Sequence, residues 1–119
     1  MYVVFNEREN IYIMKIITSR KVFDLNNFES VTYNIELYGS RERALGMPRV
    51  GYEVNAIGNA PGLFGMNKRV TEHIATFLDE KDAANLVACI ASAWGNNQDT
   101  FNVREWVEKI QAERKATTN

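Results

Sequence analysis

The chain contains few residues that form covalent crosslinks or bind metals. Among its 119 residues there is one cysteine, Cys89, and one histidine, His73. A single cysteine cannot form an intramolecular disulfide, so a reducing compartment, the cytoplasm, is expected. A structural zinc site needs four ligands that enclose the ion, so we expect no metal site and no cofactor.

Long apolar runs are also scarce. The apolar stretch near the N-terminus is interrupted by Glu7, Arg8 and Glu9, which is typical of neither a signal peptide nor a membrane span. The contents of 45% hydrophobic and 24% charged residues are ordinary for a soluble globular protein. We therefore expect no membrane partner and a single domain over residues 1–119, with a frayed tail over residues 112–119.

Glycine and proline are scarce except in one segment. Residues 39–69 hold six of the seven glycines, both prolines and five of the fourteen basic residues, against two of the fifteen acidic ones. The segment has a formal charge of +3, whereas the rest of the chain, with nine basic and thirteen acidic residues, has −4, which argues against a nucleic-acid partner. Glycine lets the backbone approach a partner closely, and cations favour an anion or an acidic surface. This segment is therefore the candidate functional region.

Hydrophobic patterning predicts the strands. Apolar and polar residues alternate over residues 30–38 and again over residues 50–56, so these segments are expected to form a long hairpin with one buried face. Residues 11–17 are apolar at nearly every position, which predicts a central strand covered on both faces. Further strands are predicted over residues 22–25 and 70–78, with residues 2–5 as an additional edge strand.

Capping residues predict two helices after the strands. Asp79 is placed to cap a helix that runs to Trp94. Asn102 and Glu105 form the capping-box pattern of a second helix. Strands followed by helices indicate an α+β fold, with an antiparallel sheet of about five strands and two C-terminal helices packed on one face. A pleckstrin-homology-like sheet capped by a terminal helix is one version of this arrangement.

Several segments resemble those of small, mostly uncharacterised single-domain proteins of Gram-positive bacteria and their phages. In those proteins a strand that ends in an aromatic residue leads into an acidic helix start, and an apolar plug follows the helix. The matching segments here are residues 16–25, 52–54, 74–83 and 101–103. The resemblance implies a phage or mobile-element setting, in which such proteins often bind and inhibit a host protein.

Three apolar residues, Leu63, Phe64 and Met66, lie among glycines in the candidate region. A glycine-flanked loop has little regular structure in which such side chains can be covered. They are predicted either to plug the open end of the sheet or to form an exposed contact patch for a protein partner. Methionine adapts to irregular surfaces, which favours the contact patch.

Basic residues in the same region are candidates for contacts with acidic groups of a partner. Arg41, Arg43 and Arg49 precede the fourth predicted strand, and Lys68 and Arg69 follow it. A meander of antiparallel strands would place the two sets at opposite ends of the sheet, unless loops of this length fold along it. The alternative interpretation is a set of independently solvated charges.

An anion site is the alternative use of the glycine-rich loop. Backbone N–H groups at Gly62 and Gly65, together with Lys68 and Arg69, are suited to an anion. The spacings of three and two residues between the loop glycines, followed by a strand, differ from those of a Walker A loop. The corresponding alternative function is binding or sequestration of a nucleotide or another anion.

No pattern in the sequence indicates catalysis. His73 is predicted on the strand face of Ala75 and Phe77 as a partly buried structural histidine, with no nucleophile supplied by its sequence context. Cys89 lies within an apolar helical pattern and is expected to be inert. If the apolar stripe of the last helix extends beyond the sheet, that helix becomes a homodimer surface.

These observations predict a non-enzymatic protein-binding module, with a host protein as its partner. The predicted form is a phage or mobile-element inhibitor of a host defence protein, for example an anti-CRISPR protein. Residues 39–69 are expected to supply the contact surface, through the arginines and the apolar residues named above.

Overall fold

A computed structural model describes residues 14–46, 50–62 and 65–118 of the chain. These residues form six strands in two sheets, three α-helices and one 3-10 turn. In chain order the elements are β1 (Lys15–Ile17), β2 (Val22–Asp24), the 3-10 turn (Leu25–Asn27), β3 (Ser30–Leu37), α1 (Ser40–Ala44), β4 (Val50–Pro61), β5 (Asn67–Phe77), α2 (Glu80–Gly95), β6 (Thr100–Asn102) and α3 (Val103–Thr118). The mixed α+β class is therefore as predicted.

The smaller sheet has the strand order β2-β1-β6. Strand β1 pairs antiparallel with β2 and parallel with β6, so Ile16 lies between Phe23 and Phe101. Residues 15–17 are central in this three-stranded sheet, as predicted, but Lys15 is exposed, so the predicted cover on both faces is incomplete. Residues 11–13 of the predicted strand, and the edge strand predicted over residues 2–5, lie outside the described residues.

The larger sheet is an antiparallel meander with the order β3-β4-β5. Its register places Val31 opposite Ala56 and Tyr33 opposite Val54, which confirms the predicted hairpin. Strands β4 and β5 continue beyond the start of β3, and their pairing extends to Pro61 opposite Asn67. The last part of this hairpin is thus a two-stranded arm.

The prediction of a single sheet of about five strands is wrong. The chain leaves β2 through the 3-10 turn, where the carboxylate of Asp24 accepts a hydrogen bond from the N–H of Asn26 at 2.8 Å. Strand β1 then takes its second neighbour from β6, which follows α2 in the chain. Strand β6 has only three residues, too few to show an alternating pattern, and it pairs with a strand that is distant in the sequence. The sequence therefore did not predict it.

A β-bulge in β5 places the residues before it on the opposite face from the one that simple alternation predicts. Val54 pairs with Ala75, whereas the next residue of β4, Asn55, pairs with His73. Ile74 is the extra residue, and it is buried with 5% of its surface exposed. Because side chains alternate along a strand and the bulge adds one residue, His73 lies on the face opposite to Ala75. His73 is exposed, so the prediction of a partly buried histidine beside Ala75 and Phe77 is wrong.

Helix α2 packs across all three strands of the larger sheet. The carboxylate of Asp79 accepts a hydrogen bond from the N–H of Lys81 at 2.9 Å, and the side chain of Asn102 accepts one from the N–H of Glu105 at 3.0 Å. Both predicted helix caps are confirmed. The two sheets and α2 and α3 share one hydrophobic core, formed by Met14, Ile16, Leu25, Val54, Ala56, Ile74, Ala83, Leu86, Ile90, Ala93 and Val103.

Beyond the core residue Val103, side-chain contacts attach both halves of helix α3 to the rest of the fold. The ring of Trp106 meets that of Phe77 edge to face, with 6.1 Å between the ring centres. Nearer its C-terminus, the guanidinium of Arg114 donates a hydrogen bond to the carboxylate of Asp82 on α2. Residues 112–118, expected as a frayed tail, lie in the last turns of this helix.

Candidate functional site

The structure separates the two halves of the candidate region, residues 39–69. Helix α1 lies at the end of the larger sheet where Leu37 pairs with Val50, and the tip of the β4–β5 hairpin lies beyond Pro61 at the other end. Strand β4 has 12 residues, so at about 3.4 Å per residue its ends are roughly 40 Å apart. Arg41 and Arg43 on α1 therefore do not converge with the basic residues of β5 on a single pocket.

Both described arginines of α1 are exposed. Arg41 and Arg43 lie in a helix of five residues that begins after Gly39 and is followed by Leu45. The turn is closed by backbone hydrogen bonds, including that from the N–H of Arg43 to the carbonyl of Gly39 at 3.0 Å. Arg49, the third predicted arginine, lies outside the described residues. Two guanidinium groups thus project from a short turn at this end of the sheet.

Large apolar side chains beside these arginines are exposed. Ile35 is 59% exposed, Leu37 is 74% exposed and Leu45 is 80% exposed. Ile35 and Leu37 lie on the same face of β3 as Tyr33, because side chains alternate along a strand. We call Ile35, Leu37, Arg41, Arg43 and Leu45 the α1 end. Exposed large apolar side chains near charged groups are typical of interaction sites.

The position of α2 explains why this apolar face is uncovered. The hydroxyl of Tyr33 donates a hydrogen bond to the carboxylate of Glu80 at 3.1 Å, and this bond raises the pKa of Tyr33. Glu80 is the first residue of α2, so the helix begins above Tyr33 and runs away from the α1 end. Alternation predicted the apolar face of β3, but only the position of the helix decides which part of that face stays exposed.

The hairpin tip is the second part of the predicted contact region. Met66 is 71% exposed, so it does not plug the sheet. Leu63 and Phe64 lie outside the described residues. The N–H of Gly62 donates a hydrogen bond to the carbonyl of Met66 at 2.7 Å, and a Cβ atom on Gly62 would lie 2.3 Å from that oxygen. Glycine is therefore needed at this position for closure of the hairpin.

The four residues predicted as an anion site do not surround a common point. Lys68 and Arg69 are consecutive residues of β5, opposite Ala60 and Asn59, and consecutive side chains of a strand lie on opposite faces. The N–H of Gly62 is already engaged in closing the tip. Gly65 has a φ of +74°, which explains its identity without a ligand.

Sequence reasoning missed a cleft of about 580 Å³ between the end of β5 and helix α3. Phe77 and Val107 are among its apolar lining residues. Four of its five charged lining residues form two pairs: Arg114 binds Asp82, and the side chains of Arg104 and Glu108 lie 3.2 Å apart. The fifth, Asp79, accepts the hydrogen bond that caps α2. The hydrogen bond to Asp82 raises the pKa of Arg114. No sequence signal could have revealed this cleft, because it depends on how α3 packs against β5.

The outer face of the larger sheet carries a polar groove of about 460 Å³ that includes His73, Thr76, Arg20 and Glu53. The Nε2 atom of His73 lies 3.3 Å from the hydroxyl of Thr76, and the carboxylate of Glu53 accepts a hydrogen bond from Tyr38 at 3.0 Å. Nucleophilic catalysis needs a third group that orients the base. Among the described residues, no carboxylate binds the second ring nitrogen of His73. Within residues 14–46, 50–62 and 65–118, the groove therefore holds no catalytic triad.

No group of three His, Cys, Asp or Glu side chains in residues 14–46, 50–62 and 65–118 is placed to hold a metal ion. Over the same residues, no helix has both the length and the apolar character needed to cross a bilayer.

Comparisons with known proteins do not indicate a function for this chain. The chain matches no family model, no curated protein and no solved structure. The resemblance to small phage and bacterial proteins and the pleckstrin-homology-like arrangement both stay predictions.

Proposed function

We propose that this chain is a non-enzymatic protein-binding module that contacts a host protein through the α1 end. The observation that carries the proposal is the exposure of Ile35, Leu37 and Leu45 beside two exposed arginines. Large apolar side chains that remain in water lose the free energy that burial would provide, about 1.5–3 kcal/mol for a fully buried Leu or Ile. A partner that covers them recovers part of this free energy.

The composition of the α1 end defines the partner surface that it fits. Arginine contributes strongly at protein interfaces, because its planar guanidinium forms paired hydrogen bonds with carboxylates. An apolar patch bordered by carboxylates would therefore complement Leu37 and Leu45 together with Arg41 and Arg43. The hairpin tip, with exposed Met66, is a second contact only for a partner that spans most of the larger sheet.

The concrete form of the proposal is inhibition of a host defence protein, with CRISPR effectors as the first class to test. Its support is the resemblance of residues 16–25 and 74–83 to small phage and bacterial proteins, together with the exposed α1 end. A bacterial cytoplasm is the location that this role requires. Inhibition by such a module needs only that the bound surface overlap a functional surface of the host protein.

The test is affinity capture of the tagged protein from a Gram-positive host lysate, with quantitative mass spectrometry of the proteins and small molecules that remain bound. The informative variant is the double change Arg41→Glu and Arg43→Glu. Its matched control is Lys68→Glu with Arg69→Glu, which reverses the same number of charges on the hairpin arm. A stoichiometric host protein that is lost with the first variant and retained with the second is the expected result.

Two results would overturn the proposal. Retention of the host protein by the α1 variant and its loss with the control would move the contact to the hairpin arm. A bound nucleotide or other small anion without any protein partner would favour the alternative function, sequestration of an anion near Gly62, Gly65, Lys68 and Arg69. Circular dichroism of each variant shows that the fold is retained before the capture results are compared.

A further inference from the structure

We infer that a second copy of this chain pairs antiparallel along the free edge of β3, so that two larger sheets join into one. The order β3-β4-β5 leaves β3 at an edge, and within the described residues β3 pairs only with β4. About half of the N–H and C=O groups of an edge strand point away from the sheet and are available to another strand. This inference concerns the strand edge and does not rest on the proposed function, although the paired edge also uses residues of the α1 end.

The two edges of the larger sheet differ in how they are protected against pairing. The β5 edge has the bulge at Ile74, and the ammonium of Lys21 crosses to the carboxylate of Glu72 at 2.8 Å. Bulges and charged residues are the usual means by which an edge avoids a second strand. Strand β3 has eight residues without a described bulge, a proline or a basic residue, and Glu36 is its only charge. The β3 edge is therefore suited to pairing.

The sequence of β3 is compatible with pairing to itself. A two-fold axis through Asn34 places Ile35 opposite Tyr33 of the second copy and Leu37 opposite its Val31. Antiparallel two-fold pairing keeps both copies of α2 on the same side of the joined sheet, because the axis is perpendicular to the sheet. Apolar side chains then meet apolar side chains across the axis, and such cross-strand pairs stabilise a sheet. Pairing of this kind also covers part of the exposed surface of Ile35 and Leu37.

Charge complementarity supports a second copy of the chain as the partner of the β3 edge. In the antiparallel pair, the end of one β3 that leads into α1 lies beside the start of the other β3. Arg41 and Arg43 are exposed at the first end, and Glu29 is exposed just before the second. The carboxylate of Glu29 is bound by the side-chain amide of Asn59 at 2.9 Å, which leaves its charge in place. Each two-fold pair therefore brings opposite charges together twice.

The inference is tested by sedimentation velocity of the full chain over a range of concentrations, for the wild type and four variants, of which Ile110→Lys tests a contact through α3. Asn34→Lys and Asn34→Glu each place two like charges opposite one another at the axis, which disfavours pairing. Thr71→Lys adds the same charge to the β5 edge and serves as the control. The expected result is a species of twice 13.6 kDa for the wild type and the control, and a monomer for each Asn34 variant alone.

Mixing the two Asn34 variants supplies a second, independent readout. A lysine opposite a glutamate is attractive, so the mixture is expected to form the dimer that neither variant forms alone, which also shows that both variants are folded. A wild type that remains monomeric at every concentration would overturn the inference. A dimer that persists in Asn34→Lys but dissociates with Ile110→Lys would place the contact on α3 and would overturn it as well.

Discussion

The guanidinium of Arg114 donates a hydrogen bond to the carboxylate of Asp82, which is 7% exposed at the start of α2. The two residues lie on different helices, and the pair holds the C-terminal half of α3 against α2. Residues 111–117 are exposed, so this part of α3 has few apolar contacts to keep it in place. A carboxylate that is nearly buried depends strongly on such a partner, because an unpaired buried charge is costly.

Removal of Arg114 is expected to release the end of α3. In Arg114→Ala, amide hydrogens of residues 110–117 should exchange faster, while those of residues 83–93 in α2 stay protected, because the core side of α2 is unchanged. Hydrogen exchange with mass spectrometry measures both segments. Lys115→Ala is the matched control, since it removes a neighbouring exposed cation, and equal exchange in the two variants would contradict the role of the pair.

Truncation of Ile74 is expected to be far more damaging than truncation of His73. The bulge directs Ile74 into the core and His73 to the outer face. Ile74→Ala should lower the free energy of unfolding by about 2–5 kcal/mol, whereas His73→Ala should change it by about 0.5 kcal/mol or less. Urea unfolding of the two variants checks this order. A larger loss of stability in His73→Ala than in Ile74→Ala would mean that His73 faces the core, as simple alternation predicts.

Tyr38 is expected to make the stability of the protein sensitive to alkaline pH. Burial raises the pKa of Tyr38, and its hydrogen bond to Glu53 raises it further. The stability that the protonated hydroxyl contributes is therefore complete below the unfolded-state pKa of about 10 and is lost as the pH rises through the higher folded-state pKa. The difference in unfolding free energy between the wild type and Tyr38→Phe should be constant below about pH 9 and should shrink above about pH 10.

Two measurements check the behaviour of Tyr38. Urea unfolding at several pH values gives the difference between the wild type and Tyr38→Phe. Titration of tyrosinate absorbance should show late-ionising tyrosines, because the pKa of Tyr33 is raised as well. One of them should be absent from Tyr38→Phe and should ionise earlier in Glu53→Gln. A difference that does not vary with pH would show that the hydroxyl is not stabilised in its protonated form.

Two glycine substitutions are expected to have opposite effects on stability. A Cβ atom at position 62 would lie 2.3 Å from the carbonyl oxygen of Met66, so Gly62→Ala should destabilise the hairpin by about 1–3 kcal/mol. Gly95 is the last residue of α2, and a Cβ atom there would have no neighbour within 4 Å. Gly95→Ala should be stabilising by about 0.5–1 kcal/mol. Thermal unfolding of both variants measures these changes in stability. An unchanged stability of Gly62→Ala would mean that the hairpin tip closes without the close contact between Gly62 and Met66.

Local signals in the sequence predicted the parts of the fold that depend on neighbouring residues. Alternation over residues 30–38 and 50–56 predicted the β3–β4 hairpin, because one buried face imposes a period of two on the chain. Asp79 and Asn102 predicted two helix starts, because a cap bonds to N–H groups within three residues of itself. Arg41 and Arg43 of the α1 end were predicted as contact residues. Leu45 lay within the predicted region but was not predicted as a contact, and alternation assigned Ile35 and Leu37 to the buried face of the hairpin.

Only the tertiary structure decided the features that depend on distant pairing. The parallel contact of β6 with β1 and the bulge that turns His73 outward arise from register between strands, which a period of two does not encode. The length of β4 places α1 and the hairpin tip at opposite ends of one sheet. The start of α2 above Tyr33 leaves Ile35 and Leu37 in water. Thus the sequence by itself determined which residues are apolar and where the two long helices begin, and packing determined which of those apolar residues stay exposed.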